Sequence, residues 1–175
     1  MRYAAFLRAV NLGRNRRVSG AELCAIVEEL GLEDVASFRT SGNLVFEAPR
    51  DMTVEIETAL EGALGYEVGV FLRSAPELEE IAAQRPFKPA EVEASNGKLQ
   101  VSMVSVKPPA AKRRQVLALA TDDDLLAFGK RELYWLPSGG TMESTLDRKA
   151  IDALLGPTTM RTKGTVEQLA AKFFA

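Results

Sequence analysis

The spacing of apolar positions along this chain changes several times, and each change predicts an element. From Arg2 to Ala9 they are almost continuous and partly aromatic, which marks a short buried strand. A polar loop runs from Val10 to Val18. Ser19 and Glu22 then have the S-x-x-E spacing of a capping box, and Leu23, Ile26, Val27 and Leu30 recur at helical intervals until Gly31. Val35 to Thr40 and Asn43 to Ala48 read as two strands joined by a tight turn at Ser41-Gly42. Pro49 and Asp51 open a second helix with Met52, Ile56, Leu60 and Leu64 on one face, and Gly65 closes it. Tyr66 to Arg73 completes strand, helix, strand, strand, helix, strand, the order of a ferredoxin-like split unit in which two helices cover a four-stranded antiparallel sheet.

A second capping box, Ser74 with Glu77, predicts a helix through Gln84, and Pro86, Pro89 and Asn96-Gly97 predict a loop-rich connection. From Lys98 a similar order begins again. A strand is expected around Leu99 to Val106, a helix over Pro108–Ala120, a hairpin of Leu125–Lys130 with Leu133–Leu136, and a helix over Asp147–Leu155 stopped by Gly156 and Pro157. A last helix, Thr165–Phe174, has Val166, Leu169, Phe173 and Phe174 to bury and is expected to strap one half to the other. The predicted fold is therefore α+β: two tandem ferredoxin-like halves with antiparallel sheets, plus a C-terminal helix. Its expected boundaries are 1–75, a connection 76–97, a second half 98–157, and a loop and helix 158–175. The halves share element order but no residue-level repeat.

Composition narrows the chemistry. The chain has 175 residues, 46% of them hydrophobic and 26% charged, enough apolar surface to close a core. It contains no histidine, which removes serine–histidine and cysteine–histidine catalysis and histidine-ligated metals. The single Cys24 forms no intrachain disulfide, and its apolar neighbours Leu23, Ile26 and Val27 suit a small buried hydrophobe better than a nucleophile. No apolar run is long enough to span a bilayer and the first residues lack a signal-peptide core, so the expected location is cytoplasmic. No cofactor is expected, and no metal site.

The net charge of −2 conceals an asymmetry. Residues 1–20 carry Arg2, Arg8, Arg14, Arg16 and Arg17 with no acid, whereas residues 21–80 carry 14 acids against 3 bases. That balance disfavours a dedicated duplex-DNA binder but leaves room for a small anion site. Four segments are candidates. In the loop Asn11-Leu12-Gly13-Arg14-Asn15-Arg16-Arg17, three guanidiniums, two amides and a permissive glycine precede a helix start, a combination suited to phosphate or carboxylate; the plainer reading is solvated arginines balancing nearby acids. Thr40-Ser41-Gly42-Asn43 is ordinary turn chemistry, or else presents Ser41 and Asn43 to the same ligand. Pro137 to Thr145 is rich in glycine and hydroxyls and either cradles phosphate or is a turn with a Ser144 or Thr145 cap. Thr158 to Thr165 either contacts an anion through alternating threonines and bases or is a linker with Thr165 as the cap. Asp122-Asp123-Asp124 lacks calcium-loop spacing and reads as a helix-end loop, and Lys112-Arg113-Arg114 as a solvated face. Of Tyr134 and Trp135, alternation puts one in the core and the other toward solvent.

The stretch Ala5 to Asn15, then Glu28-Glu29-Leu30-Gly31, then Ser41-Gly42-Asn43-Leu44-Val45-Phe46, closely resembles the start of the bacterial domain-of-unknown-function family 1697. Later the likeness loosens. Ser144 and Leu146 match a family serine-lysine-leucine with Thr145 in place of lysine; Thr159, Arg161, Thr165 and Val166 match a second stretch in which Thr162, Lys163 and Gly164 replace asparagine, tryptophan and asparagine. The resemblance implies a duplicated α+β fold and highlights Arg8, Asn11, Gly13, Ser41, Asn43, Ser144 and Arg161 as a shared site. It implies no activity.

The leading functional expectation is a small anionic or phosphate-bearing ligand bound between the two halves. Arg14, Arg16 and Arg17 would supply charge, with Arg8, Gly13 and Asn15 beside them. Asn11, Ser41 and Asn43 would orient the ligand, with Ser144 and Arg161 contributed from the other half. Two alternatives stand beside it. One is a histidine-independent enzyme with Ser41 or Ser144 as nucleophile and Glu, Asp, Lys or Tyr as base. The other is a nucleic-acid binder, although the strands Arg2–Ala9 and Leu99–Val106 lack paired stacking aromatics.

Overall fold

The computed structural model describes residues 1–10, 18–39 and 42–175. Its α+β chain divides into two compact units, one of Met1–Glu80 with Leu169–Ala175, the other of Ile81–Gln168. Each contains a four-stranded antiparallel sheet of ferredoxin-like order.

In the first unit, β1 (Arg2–Arg8) lies between β3 (Asn43–Glu47) and β4 (Gly69–Ser74), with β2 (Glu33–Ser37) outside β3. Alternation along β1 sends Tyr3, Ala5 and Leu7 into a core with Leu23 and Val27 of α1 (Gly20–Glu28) and Ile56 and Leu60 of α2 (Thr53–Leu64). Ala4 and Phe6, on the other face, are also fully buried, which is why β1 reads as a continuous apolar run. The helix punctuation is as the sequence predicts. Ser19 Oγ accepts the Glu22 N–H at 3.1 Å, and Gly65 ends α2 at φ 81°, a left-handed conformation that carries little penalty only in glycine. Ser74 N–H donates to Glu77 Oε2 at 2.8 Å where β4 turns into α3 (Ala75–Ala83).

In the second unit, β5 (Gln100–Met103) lies between β7 (Glu132–Pro137) and β8 (Thr159–Thr162), with β6 (Asp124–Phe128) outside β7. Leu133 and Trp135 of β7 pack with Val116 of α5 (Ala110–Leu117) and Ile151 of α6 (Arg148–Leu155). Here several expectations are corrected. Thr159–Thr162, expected as a loop, is the strand that completes the sheet; its alternating polar residues mask it because Thr159 and Arg161 are themselves buried. The last helix, α7 (Lys163–Phe173), starts earlier than expected, and Thr162 Oγ1 rather than Thr165 takes the cap by accepting the Thr165 N–H at 3.2 Å. The cap of α6 is Asp147, which accepts the Ala150 N–H at 3.0 Å, not Ser144 or Thr145. A short helix, α4 (Pro89–Ala94), occupies the expected loop, and Tyr134 and Trp135 are both buried because both faces of β7 are covered.

The edges of the sheets are handled by side chains. On β4 the outward N–H of Val70 meets Glu57 Oε1 at 3.4 Å, and the Leu72 carbonyl accepts from the guanidinium of its neighbour Arg73 at 2.8 Å. The equivalent strand β8 repeats the second device: Arg161 Nη1 donates to the Met160 carbonyl at 2.9 Å. Buried strand-edge groups must be paired, and a neighbouring arginine does this without another strand.

The turn before β5 is fixed by close backbone approach. Asn96 N–H donates to the Ser138 carbonyl at 2.9 Å, and a Cβ at Gly97 would overlap the Gly139 carbonyl and lie 2.6 Å from that of Pro137. Gly97→Ala is expected to destabilise the protein by about 2 kcal/mol because backbone has to shift, against about 1 kcal/mol for loss of the α1 cap in Ser19→Ala. Urea unfolding of the two variants measures both, and equal stability of Gly97→Ala and wild type would refute the close approach.

Candidate functional site

The expected site residues fall into two groups, one in each unit. Asn11, Gly13, Arg14, Asn15, Arg16, Arg17 and Ser41 lie outside the described residues. The residues flanking them are described, and they meet at one end of the first sheet. Phe6 pairs with Asn43, and Leu7 N–H donates to the Gly42 carbonyl at 2.8 Å, so the end of β1 abuts the start of β3. The start of α1 reaches the same end, where a Cβ on Gly20 would overlap the Ser37 hydroxyl at the close of β2. Three left-handed residues are gathered there: Ala9 (φ 73°), Arg39 (φ 62°) and Gly42 (φ 76°). For alanine and arginine that conformation is uncommon and is held by the surrounding structure.

Arg8 and Arg39 are both exposed at this end, and the Arg39 guanidinium lies 5.3 Å from the centre of the Phe38 ring. Asn43 is buried and its Nδ2 donates to the Phe38 carbonyl at 2.9 Å, so its side chain braces the hairpin. Cys24 packs against the first core; burial pushes its thiol up while a hydrogen bond with Ser37 pulls the other way, and the net rise leaves it a poor nucleophile.

The second group centres on Asp124, which is 1% exposed. Trp135 Nε1 and Ser144 Oγ both donate to Asp124 Oδ1, at 2.9 and 2.7 Å, and Thr121 Oγ1 donates to Oδ2 at 3.1 Å. The Ser144 oxygen also accepts the Leu146 N–H at 3.1 Å. This serine is engaged as donor and as acceptor, and its hydroxyl ties the Pro137–Leu146 loop to the sheet. The sequence reading places Asp124 in a helix-end loop with Asp122 and Asp123; it instead opens β6, and the signal was the apolar run Leu125 to Phe128 that follows it directly. Beside this knot lies a hollow of about 120 Å³ lined by Asp123, Asp124, Ser138, Gly140, Glu143 and Ser144, among others. Three carboxylates face it, which disfavours phosphate there.

Arg161, expected to contribute to the ligand site from the second half, is 9% exposed and donates to Thr159 Oγ1 at 2.8 Å as well as to the Met160 carbonyl. Burial pushes its guanidinium down to about 10, leaving it cationic at neutral pH. Among the described residues no group of three or more Cys, Asp or Glu is placed to hold a metal ion, and no helix is long and apolar enough to cross a membrane.

Residues 1–134 match the family described as "Protein of unknown function (DUF1697)". The chain belongs to this family. The DUF1697 match takes in all of β1 to β6, and the positions where the chain departs from the family pattern, Thr145 and Thr162 to Gly164, lie beyond it. A solved structure described as that of the conserved bacterial protein SP0830 from Streptococcus pneumoniae is 24% identical over 97% of each chain, with a TM-score of 0.71. That likeness is one of fold. No curated protein matches the chain.

In this DUF1697 chain, Asp124→Ala is expected to destabilise the second unit by about 2–4 kcal/mol, since it strands a buried indole N–H and two hydroxyls. Trp135 is the single tryptophan, so its emission during urea unfolding reads the change directly. A midpoint equal to wild type would show that the knot carries no stability.

Proposed function

We propose that the protein binds a small anionic, phosphate-bearing ligand at the end of the first sheet where β1, the β2–β3 turn and the start of α1 meet, and that it does so in the cytoplasm. The convergence of Arg8, Arg39 and the α1 N-terminus on that end carries this reading. Guanidiniums bind phosphate oxygens through paired N–H donors, and a helix start adds free amides and a favourable dipole. Arg14, Arg16 and Arg17, which lie outside the described residues, fall in sequence between Val10 and Val18 and are the further cations this reading assigns to the ligand. The remaining candidate, the glycine-rich loop near Ser144, is walled by carboxylates and suits an anion less well.

Calorimetric titration with pyrophosphate and ADP, at low and moderate salt, tests this. Binding is expected to weaken with salt, and the double variant Arg14→Ala with Arg16→Ala is expected to lose at least about tenfold in affinity, or about 1.4 kcal/mol. A ligand at 100 times its Kd would stabilise the fold by about 2.7 kcal/mol, which a thermal-shift assay resolves. An affinity unchanged in the double variant would sink the proposal.

A further inference from the structure

Three of the four sheet edges are occupied or blunted, and the fourth is not. On β4, Glu57, Arg73 and Glu77 reach the outward groups of Val70, Leu72 and Ser74; on β8, Arg161 caps Met160. The β2 edge carries Glu33 and Asp34, with a register shift before Ala36 and Asp34 at φ 48°, the kind of bulged and charged edge that resists pairing.

The β6 edge has none of these. Its pairing with β7 runs without a shift from Asp124↔Pro137 to Phe128↔Leu133, and Leu125, Leu126, Ala127 and Phe128 are uncharged and half-buried. The hairpin bond from Gly129 N–H to the Glu132 carbonyl and that from Ser138 N–H to the Asp123 carbonyl, both 2.8 Å, set the alternation. Residues 125 and 127 direct their N–H and C=O groups to β7, and residues 124, 126 and 128 direct theirs outward. Thr121 pairs with the outward groups of Asp124 in both directions. Among the described residues nothing hydrogen-bonds those of Leu126 and Phe128.

We infer that this edge pairs with the β6 of a second copy of the chain, antiparallel across a two-fold axis at Ala127. Two outward residues spaced by two are self-complementary under such an axis. Leu126 exchanges both backbone bonds with Phe128 of the second copy, and Phe128 with its Leu126, so all four N–H and C=O groups on each side are satisfied. The small Ala127 faces its own copy at the non-hydrogen-bonded position, where the strands come closest. Charge agrees with this register. It sets the exposed Asp122 and Asp123 at one end of the strand toward the Lys130–Arg131 turn of the other copy, twice over. Leu126 and Phe128, which rim the second core, extend it across the axis.

Sedimentation of the whole protein over the micromolar to millimolar range tests this. Wild type is expected to show a concentration-dependent dimer. Ala127→Lys and Ala127→Glu, each placing like charges directly opposite one another, are expected to raise the dissociation constant by at least about tenfold. Both should retain the wild-type Trp135 emission, and an equimolar mixture of the two should recover the dimer, which damage to the fold would not allow. A wild type that stays monomeric throughout, or a dimer indifferent to both substitutions, overturns the inference.

Discussion

A four-stranded antiparallel sheet leaves two strands with every second N–H and C=O pointing away from any partner, and buried groups of this kind have to be paired. Much of the polar chemistry in the interior of this protein answers that requirement. Arg73 and Arg161 occupy the same place in the two sheets, one residue before the strand ends, and each turns its guanidinium onto the carbonyl behind it. In sequence Arg73 follows an apolar strand and Arg161 lies among threonines beside Lys163, where it invites a functional reading. In the fold they stand in for a fifth strand.

The same logic applies to Asp124. A buried carboxylate beside a serine resembles the beginning of a nucleophilic site, yet the lone pairs of Asp124 receive an indole N–H and two hydroxyls, and the Ser144 oxygen receives a backbone amide. Buried charge that is fully hydrogen-bonded fixes one arrangement of the loops around it. The first unit differs. At the end of its sheet Arg8 and Arg39 are exposed, and uncommon backbone conformations are held in place around them.

The first half was legible in the sequence because its signals agreed. Ser19 caps α1 and Gly65 ends α2 where the sequence places them, and the apolar runs mark each strand, although β2 covers Glu33–Ser37 rather than Val35–Thr40 and β4 starts at Gly69 rather than Tyr66. In the second half they conflicted. Strand β8 is polar at alternate positions because Thr159 and Arg161 point into a buried layer, so its hydrophobic period disappears, and α4 has no buried residue from which periodicity could be read. Of the expected site residues, charge and glycine content single out the first loop, whereas Asn43, Ser144 and Arg161 rest on residue type and on the family resemblance. Type alone does not distinguish a side chain that reaches a ligand from one that braces a turn.

The first unit is completed by residues from far along the chain. Arg2 Nε donates to the Phe173 carbonyl, 171 positions away, at 3.0 Å, and the Phe173 ring meets Phe38 edge-on at 6.0 Å. During synthesis the ribosome therefore releases β1 to β4 long before the helix turn that joins their exposed face. Until Lys172 to Phe174 emerge, Arg2 and Phe38 lack these partners, so the unit made first completes its native contacts only with the last residues of the chain.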